Sequence, residues 1–121
     1  YFYMGAGNDV MYGGDGVDVM LGEAGDDFFD GGSGVNYMFL GVAGVDTVRS
    51  QSPGGIDVVN NFETARDALL LAGTGFASRD DVVAATSDFG SYSIISIDAT
   101  RAVWLIGVSA SEVATANIYL T

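Results

Sequence analysis

The sequence predicts an all-β chain in two parts. A parallel β-roll is expected over residues 1–59, and a β-rich C-terminal cap with one or two short helices over residues 60–121. Three observations predict this. A glycine-rich unit recurs every nine residues through the first half, and each unit ends in a three-residue segment centred on a large apolar residue. Beyond it the nine-residue pattern gives way to longer apolar or alternating stretches that read as strands.

The repeats align on aspartate. They are MGAGNDVMY (Met4 to Tyr12), GGDGVDVML (Gly13 to Leu21), GEAGDDFFD (Gly22 to Asp30) and GGSGVNYMF (Gly31 to Phe39). After one extra residue, Leu40, comes GVAGVDTVR (Gly41 to Arg49), and a degenerate sixth copy, SPGGIDVV, runs from Ser52 to Val59. The shared pattern is G-G-x-G-x-D-x-U-x, with U a large apolar residue. Tyr1-Phe2-Tyr3 stands where Val10-Met11-Tyr12 stands one unit later, so the chain reads as a fragment with further repeats upstream.

Each unit has a physical logic. Glycine permits positive φ and close backbone approach, so the first six residues can form a tight loop. The last three form a short strand whose U side chain (Met11, Met20, Phe29, Met38, Val48) faces inward while its neighbours face out. Two units make one coil of about 18 residues with a strand on each side, and stacked coils pair as parallel sheets. Unbranched methionine at three of the U positions suits a narrow, irregular core.

Stacking lines up the aspartates. Asp9 falls over Asp27 and Asp27 over Asp46; on the other edge Asp18 falls over Asn36 and Asn36 over Asp57. Carboxylates about 4.8 Å apart repel one another, and a hard divalent cation between them reverses that sign. Ca²⁺ accepts 6–8 oxygens in flexible geometry, and the glycine loops supply backbone carbonyls beside each carboxylate. Mg²⁺ demands tighter octahedral geometry, and zinc is disfavoured because the chain has no His and no Cys. Several Ca²⁺ ions are therefore expected. The neutral Asn36 weakens its two sites, Leu40 threatens the register of the fifth copy, and Glu23 and Val42 replace the second glycine of their units. Folding and ion binding should be one event.

The charge balance is 16 carboxylates against 4 arginines, a net charge of −12. That argues against nucleic acid or an anionic membrane as partner, and no apolar run approaches the roughly 18 residues of a membrane span. No signal segment opens the chain, so an export address, if any, is not expected at this N-terminus. Without His or Cys no nucleophile–base pair is available; the sequence also holds no H-E-x-x-H zinc site and no P-loop, so no catalytic residue is assigned.

In the second half, Val58-Val59 and Leu69 to Leu71 read as strands around a polar bend. Ser78 with Asp81 reads as a helix start leading into Val82 to Ala85. SYSIISID (Ser91 to Asp98) alternates as a half-buried strand, and Ala99-Thr100 turns into the strand AVWLIGV (Ala102 to Val108). Ser109 and Glu112 form a capping box for a helix through Ala116, and Asn117 to Leu120 is a final strand. This half is expected to pair antiparallel and to close the end of the stack. Trp104 is expected in the core. Asp67 is expected either to ligate a last Ca²⁺ or to pair with Arg66.

The repeats, the stretch IDVVNNFETARDALLLAG and the ending WLIGVSASEVATANIYL together resemble the C-terminal region of RTX proteins. That bacterial family includes serralysin-like proteases, lipases, haemolysins, alginate epimerases and adhesins. The resemblance implies a Ca²⁺-stabilised β-roll, a secreted or cell-surface location, and export by type I secretion machinery on a signal near the C-terminus. It places metal on Asp9, Asp18, Asp27, Asn36 and Asp46, with carbonyls such as those of Gly5, Gly7, Gly14, Gly16, Gly25, Gly32 and Gly34; Asp57, Glu23 and Gly44 complete the expected set of metal ligands. Two functions follow as alternatives. One is a calcium-dependent export and folding module for an upstream enzyme or toxin. The other is a piece of an adhesin, surface layer or carbohydrate-binding module, for which outward Tyr1, Tyr3, Tyr12, Phe28 and Tyr37 would offer a saccharide or surface ligand an aromatic row.

Overall fold

A computed structural model describes residues 1–51 and 54–121. The strands are β1 (Phe2–Tyr3), β2 (Val10–Tyr12), β3 (Val17–Leu21), β4 (Phe28–Asp30), β5 (Val35–Phe39), β6 (Thr47–Ser50), β7 (Ile56–Asn60), β8 (Ala68–Leu71), β9 (Thr86–Asp88), β10 (Tyr92–Ser96), β11 (Ala102–Ile106) and β12 (Asn117–Leu120). Two helices, α1 (Arg79–Ala84) and α2 (Ala110–Val113), lie in the second half. From β1 to β8 successive strands alternate between a seven-stranded sheet, ordered β1-β3-β5-β7-β11-β10-β9, and a five-stranded sheet, ordered β12-β8-β6-β4-β2; β9, β10 and β11 then all join the first sheet and β12 the second. This is the parallel β-roll expected from the nine-residue period.

The register follows the repeat and then stretches. Val10 pairs with Phe28 and Val17 with Val35, each 18 residues on. Phe28 pairs with Thr47, 19 residues on, so the extra Leu40 lengthens one coil and leaves the fifth copy in register. Leu40 is fully buried, which is why the insertion is absorbed: the added residue contributes an apolar side chain to the core. The next steps, Val35 to Ile56 and Thr47 to Ala68, span 21 residues. The start of the sixth copy, Ser52 and Pro53, lies outside the described residues; its strand, β7, is in register.

The core is one strip between the sheets. Met11, Phe29, Val48 and Leu69 project from one side, and Met20, Met38, Val59 and Leu105 from the other, all at most 1% exposed. The alternating in-and-out pattern of β5, β7, β10 and β11 is what period-2 side-chain alternation requires.

The second half departs from expectation in one respect. Among the described residues antiparallel pairing is confined to β11–β10–β9, while β11 adds in parallel to β7 and β12 in parallel to β8. The roll's sheets therefore run on into the C-terminal residues. Val103 and Leu105 take the inward positions that Asp57 and Val59 take one rung earlier. Both helices form, with different caps. The capping box of Ser109 and Glu112 is present, and α2 ends at Val113. Ser78 is the N-cap residue of α1 without a side-chain bond; instead Asp81 accepts from the backbone N–H of Ala77 at 2.8 Å. Arg79 then joins the two, donating Nη1 to the carbonyl of Ala116 at 2.6 Å. No helix among the described residues is long and apolar enough to cross a membrane.

Trp104 is not in the core. It occupies an outward position of β11, half-buried, and stacks on Tyr92 at 5.5 Å, which stacks on Phe89 at 5.1 Å. The even spacing of β11 explains this: Val103 and Leu105 already hold the inward places.

Candidate metal centre

The roll brings the aspartates into two ladders, one along each edge. On the first edge the backbone N–H of Asp9 donates to Asp27 Oδ1, that of Asp27 to Asp46 Oδ1, and that of Asp46 to Asp67 Oδ1, each at 2.9 Å. Backbone bonds reinforce each step, with Phe28 N–H on the Asp9 carbonyl and Thr47 N–H on the Asp27 carbonyl, both at 2.8 Å. On the second edge Asp18 pairs in register with Asn36, and Asn36 with Asp57. Both ladders match the stacking expected from the sequence.

Asp67 extends the first ladder by one rung. Its second oxygen accepts from the Glu63 N–H at 2.7 Å, while Arg66 pairs with Glu63 rather than with Asp67. The sequence signal for this rung was weak, because Asp67 stands 21 residues beyond Asp46 and outside any glycine repeat.

The electrostatics of the ladders are those of a site short of positive charge. Asp27, Asp46, Asp57 and Asn36 are each at most 2% exposed. Burial pushes Asp46 up to about 7 and Asp57 up to about 6, and raises Asp27 and Asp67 as well. Backbone N–H bonds partly oppose the rise at Asp27, Asp46 and Asp67, and the Asn36 amide does so at Asp57. Oδ2 of Asp9, Asp18 and Asp27 and Oδ1 of Asn36 are buried without any hydrogen-bond partner. An acceptor left in that state costs about 1–3 kcal/mol, and more when charged. All four are acceptors, so the missing partner is a donor or a cation.

The glycines leave room for this. A Cβ on Gly22 would lie 2.5 Å from Asp27 Oδ2, and one on Gly13 would lie 2.7 Å from Asp18 Oδ2. The first glycine of a unit is therefore the floor against which its own carboxylate rests. Gly25, at φ 126°, sits directly on the carbonyl oxygen of Gly7. In the same way Gly32 sits on Gly14, Gly34 on Gly16, Gly41 on Glu23, Gly44 on Gly25 and Gly55 on Gly34. Carbonyl oxygens thus follow the carboxylates from coil to coil. The candidate ligands Gly7, Gly14, Gly16, Glu23, Gly25 and Gly34 have their carbonyls at these steps. Gly32 already accepts from Asn36 Nδ2 at 3.4 Å. Gly5, at φ 81°, lies beside Glu23, whose side chain accepts from the Tyr3 hydroxyl.

No three carboxylates converge on one point among the described residues. A cation here would draw on one or two carboxylates and several carbonyls. That donor set suits Ca²⁺ and suits zinc poorly. The arginines do not fill the role. Arg49 pairs with Asp30 at 2.6 Å and lies over the rings of Phe28 and Tyr12, and Arg66 pairs with Glu63. Arg79 and Arg101 donate to backbone carbonyls. The aromatic row expected on the surface is divided: Tyr3 and Tyr37 belong to the seven-stranded sheet, Tyr12 and Phe28 to the five-stranded one.

Fold and site together define a calcium-type repeat β-roll. Residues 3–38 match the RTX calcium-binding nonapeptide repeat in its four-copy form, and that stretch is an RTX repeat region. The whole chain is similar in structure to the extracellular lipase LipA from Serratia marcescens. The TM-score is 0.66 at 25% sequence identity, over 98% of this chain and 20% of the lipase. The chain thus spans about a fifth of that protein's length. No curated protein sequence matches it. The chain thus carries a calcium-binding repeat region.

Proposed function

We propose that this module folds on meeting calcium outside the cell and so supports the export and stability of a larger secreted protein with an enzyme or toxin upstream. The observation that carries the reading is the set of buried, donorless acceptors on Asp9, Asp18, Asp27 and Asn36. Without a cation they oppose folding; with one they favour it. Extracellular calcium modules bind at about 10⁻⁴–10⁻³ M, well above cytosolic calcium, so the chain would stay open inside and close outside. The ions would rest on Asp9, Asp18, Asp27, Asn36 and Asp46 with the neighbouring glycine carbonyls. The similarity to part of an extracellular lipase supports a secreted parent, and type I export is the route that the RTX repeats suggest. The chain itself supplies no nucleophile–base pair, so chemistry would belong to the upstream domain.

Circular dichroism during a Ca²⁺ titration from chelator tests the folding claim. A cooperative gain of β signal at millimolar Ca²⁺ is expected; a roll fully formed in chelator contradicts it. Export is tested by deleting residues 91–121 from a secreted parent. Unchanged export would favour the adhesin or surface-module alternative.

A further inference from the structure

The two ladders differ at one residue. On the first edge every rung is an aspartate, and no side-chain donor stands between successive carboxylates. On the second, the fully buried Asn36 donates Nδ2 to Asp57 Oδ1 at 3.1 Å. Its other amide atom, Oδ1, is buried and unpartnered, and so is Oδ2 of Asp18 one coil earlier. One side chain therefore offers a donor to one neighbouring rung and leaves a bare acceptor besides.

We propose that Asn36 divides its ladder: the step from Asp18 to Asn36 takes a Ca²⁺, while the step from Asn36 to Asp57 is closed by the amide and takes none. Two further observations support the closed step. A Cβ on Gly31 would fall against both Asn36 Nδ2 and Asp57 Oδ1, the latter at 2.7 Å, so the bonded pair rests on the Gly31 backbone. The buried Arg101 already places positive charge in the field of Asp57. An amide N–H directed at Asp57 and a cation on the same oxygen exclude each other, since both are positive toward it. The substitution of Asn for Asp then removes one ion from the stack at no cost to the order of that rung.

This inference rests on the calcium reading above, and the test separates the two. Bound calcium is counted at saturation by native mass spectrometry for the wild-type chain, Asn36→Asp and Asp57→Asn, with near-ultraviolet dichroism confirming folding. Asn36→Asp is expected to bind one ion more than wild type, and Asp57→Asn the same number. An unchanged count in a folded Asn36→Asp, or the loss of one ion in Asp57→Asn, overturns the inference. If Asn36→Asp does not fold even in calcium, the Asp57→Asn count decides. A wild-type chain that binds no calcium would instead overturn the calcium reading itself.

Discussion

Along one continuous pair of sheets, the repeat half and the C-terminal half treat the same inward positions in opposite ways. Asp18, Asn36 and Asp57 succeed one another in register, and the next partner in the row is Val103. On the other edge Asp46 is followed by Asp67, both of whose oxygens are met by backbone N–H groups. The repeats bury carboxylate and amide oxygens that the protein does not satisfy, whereas at the matching positions the C-terminal half places an apolar side chain, Val103, or a carboxylate, Asp67, that it does satisfy. The difference places the demand for cations in the repeats and leaves the end of the stack able to close without them.

The comparison breaks most sharply at Val103. Val103→Asp adds an aspartate to the ladder where no glycine loop supplies carbonyls. It is expected to lower stability by about 3–5 kcal/mol, as an uncompensated buried charge does. Denaturant unfolding in calcium checks this, and rescue by calcium would show that the cap can hold an ion after all.

A second effect is on pH. Asp46 and Asp57 are raised from an ordinary 3.8 to about 7 and about 6. A carboxyl raised on folding binds its proton more tightly in the native state, so without calcium its contribution is full near pH 4. It is lost as pH climbs through about 6 and then about 7. In chelator the residual β signal by circular dichroism should fall from pH 5 to pH 8. In calcium the trend should flatten or reverse, because the ion binds the deprotonated form. A chelated chain with more β signal at pH 8 than at pH 5 would contradict the account.

The smallest effect lies in the cap. Ser109→Ala removes the side-chain acceptor of the α2 capping box and is expected to cost about 1 kcal/mol in denaturant unfolding, equally at low and at high millimolar calcium. A calcium-dependent cost at Ser109 would mean that the two halves are not separable in this way.

Much of this was legible in the sequence, for identifiable reasons. The nine-residue period set the coil, and with it the stacking of Asp9 on Asp27 and of Asp18 on Asn36. The U positions named the core from Met11 to Val48 because a two-residue alternation leaves one inward place per strand. What was not legible depended on long-range pairing. The parallel addition of β11 to β7 joins residues 46 apart, Ile56 and Ala102, and nothing local distinguishes it from a hairpin partner. Trp104 looked like core because β11 is apolar throughout, and only the register shows which of its faces is inward. Asp67 lacked a repeat around it, and its place in the ladder comes from the 21-residue coil that precedes it.

The central claim is that the buried acceptors between coils exist for calcium. Anomalous diffraction from crystals grown in calcium measures this directly. Peaks are predicted beside Asp9 and Asp27 and between Asp18 and Asn36, with none between Asn36 and Asp57. A well-ordered roll in millimolar calcium with no anomalous peak at any of these carboxylates would contradict the account.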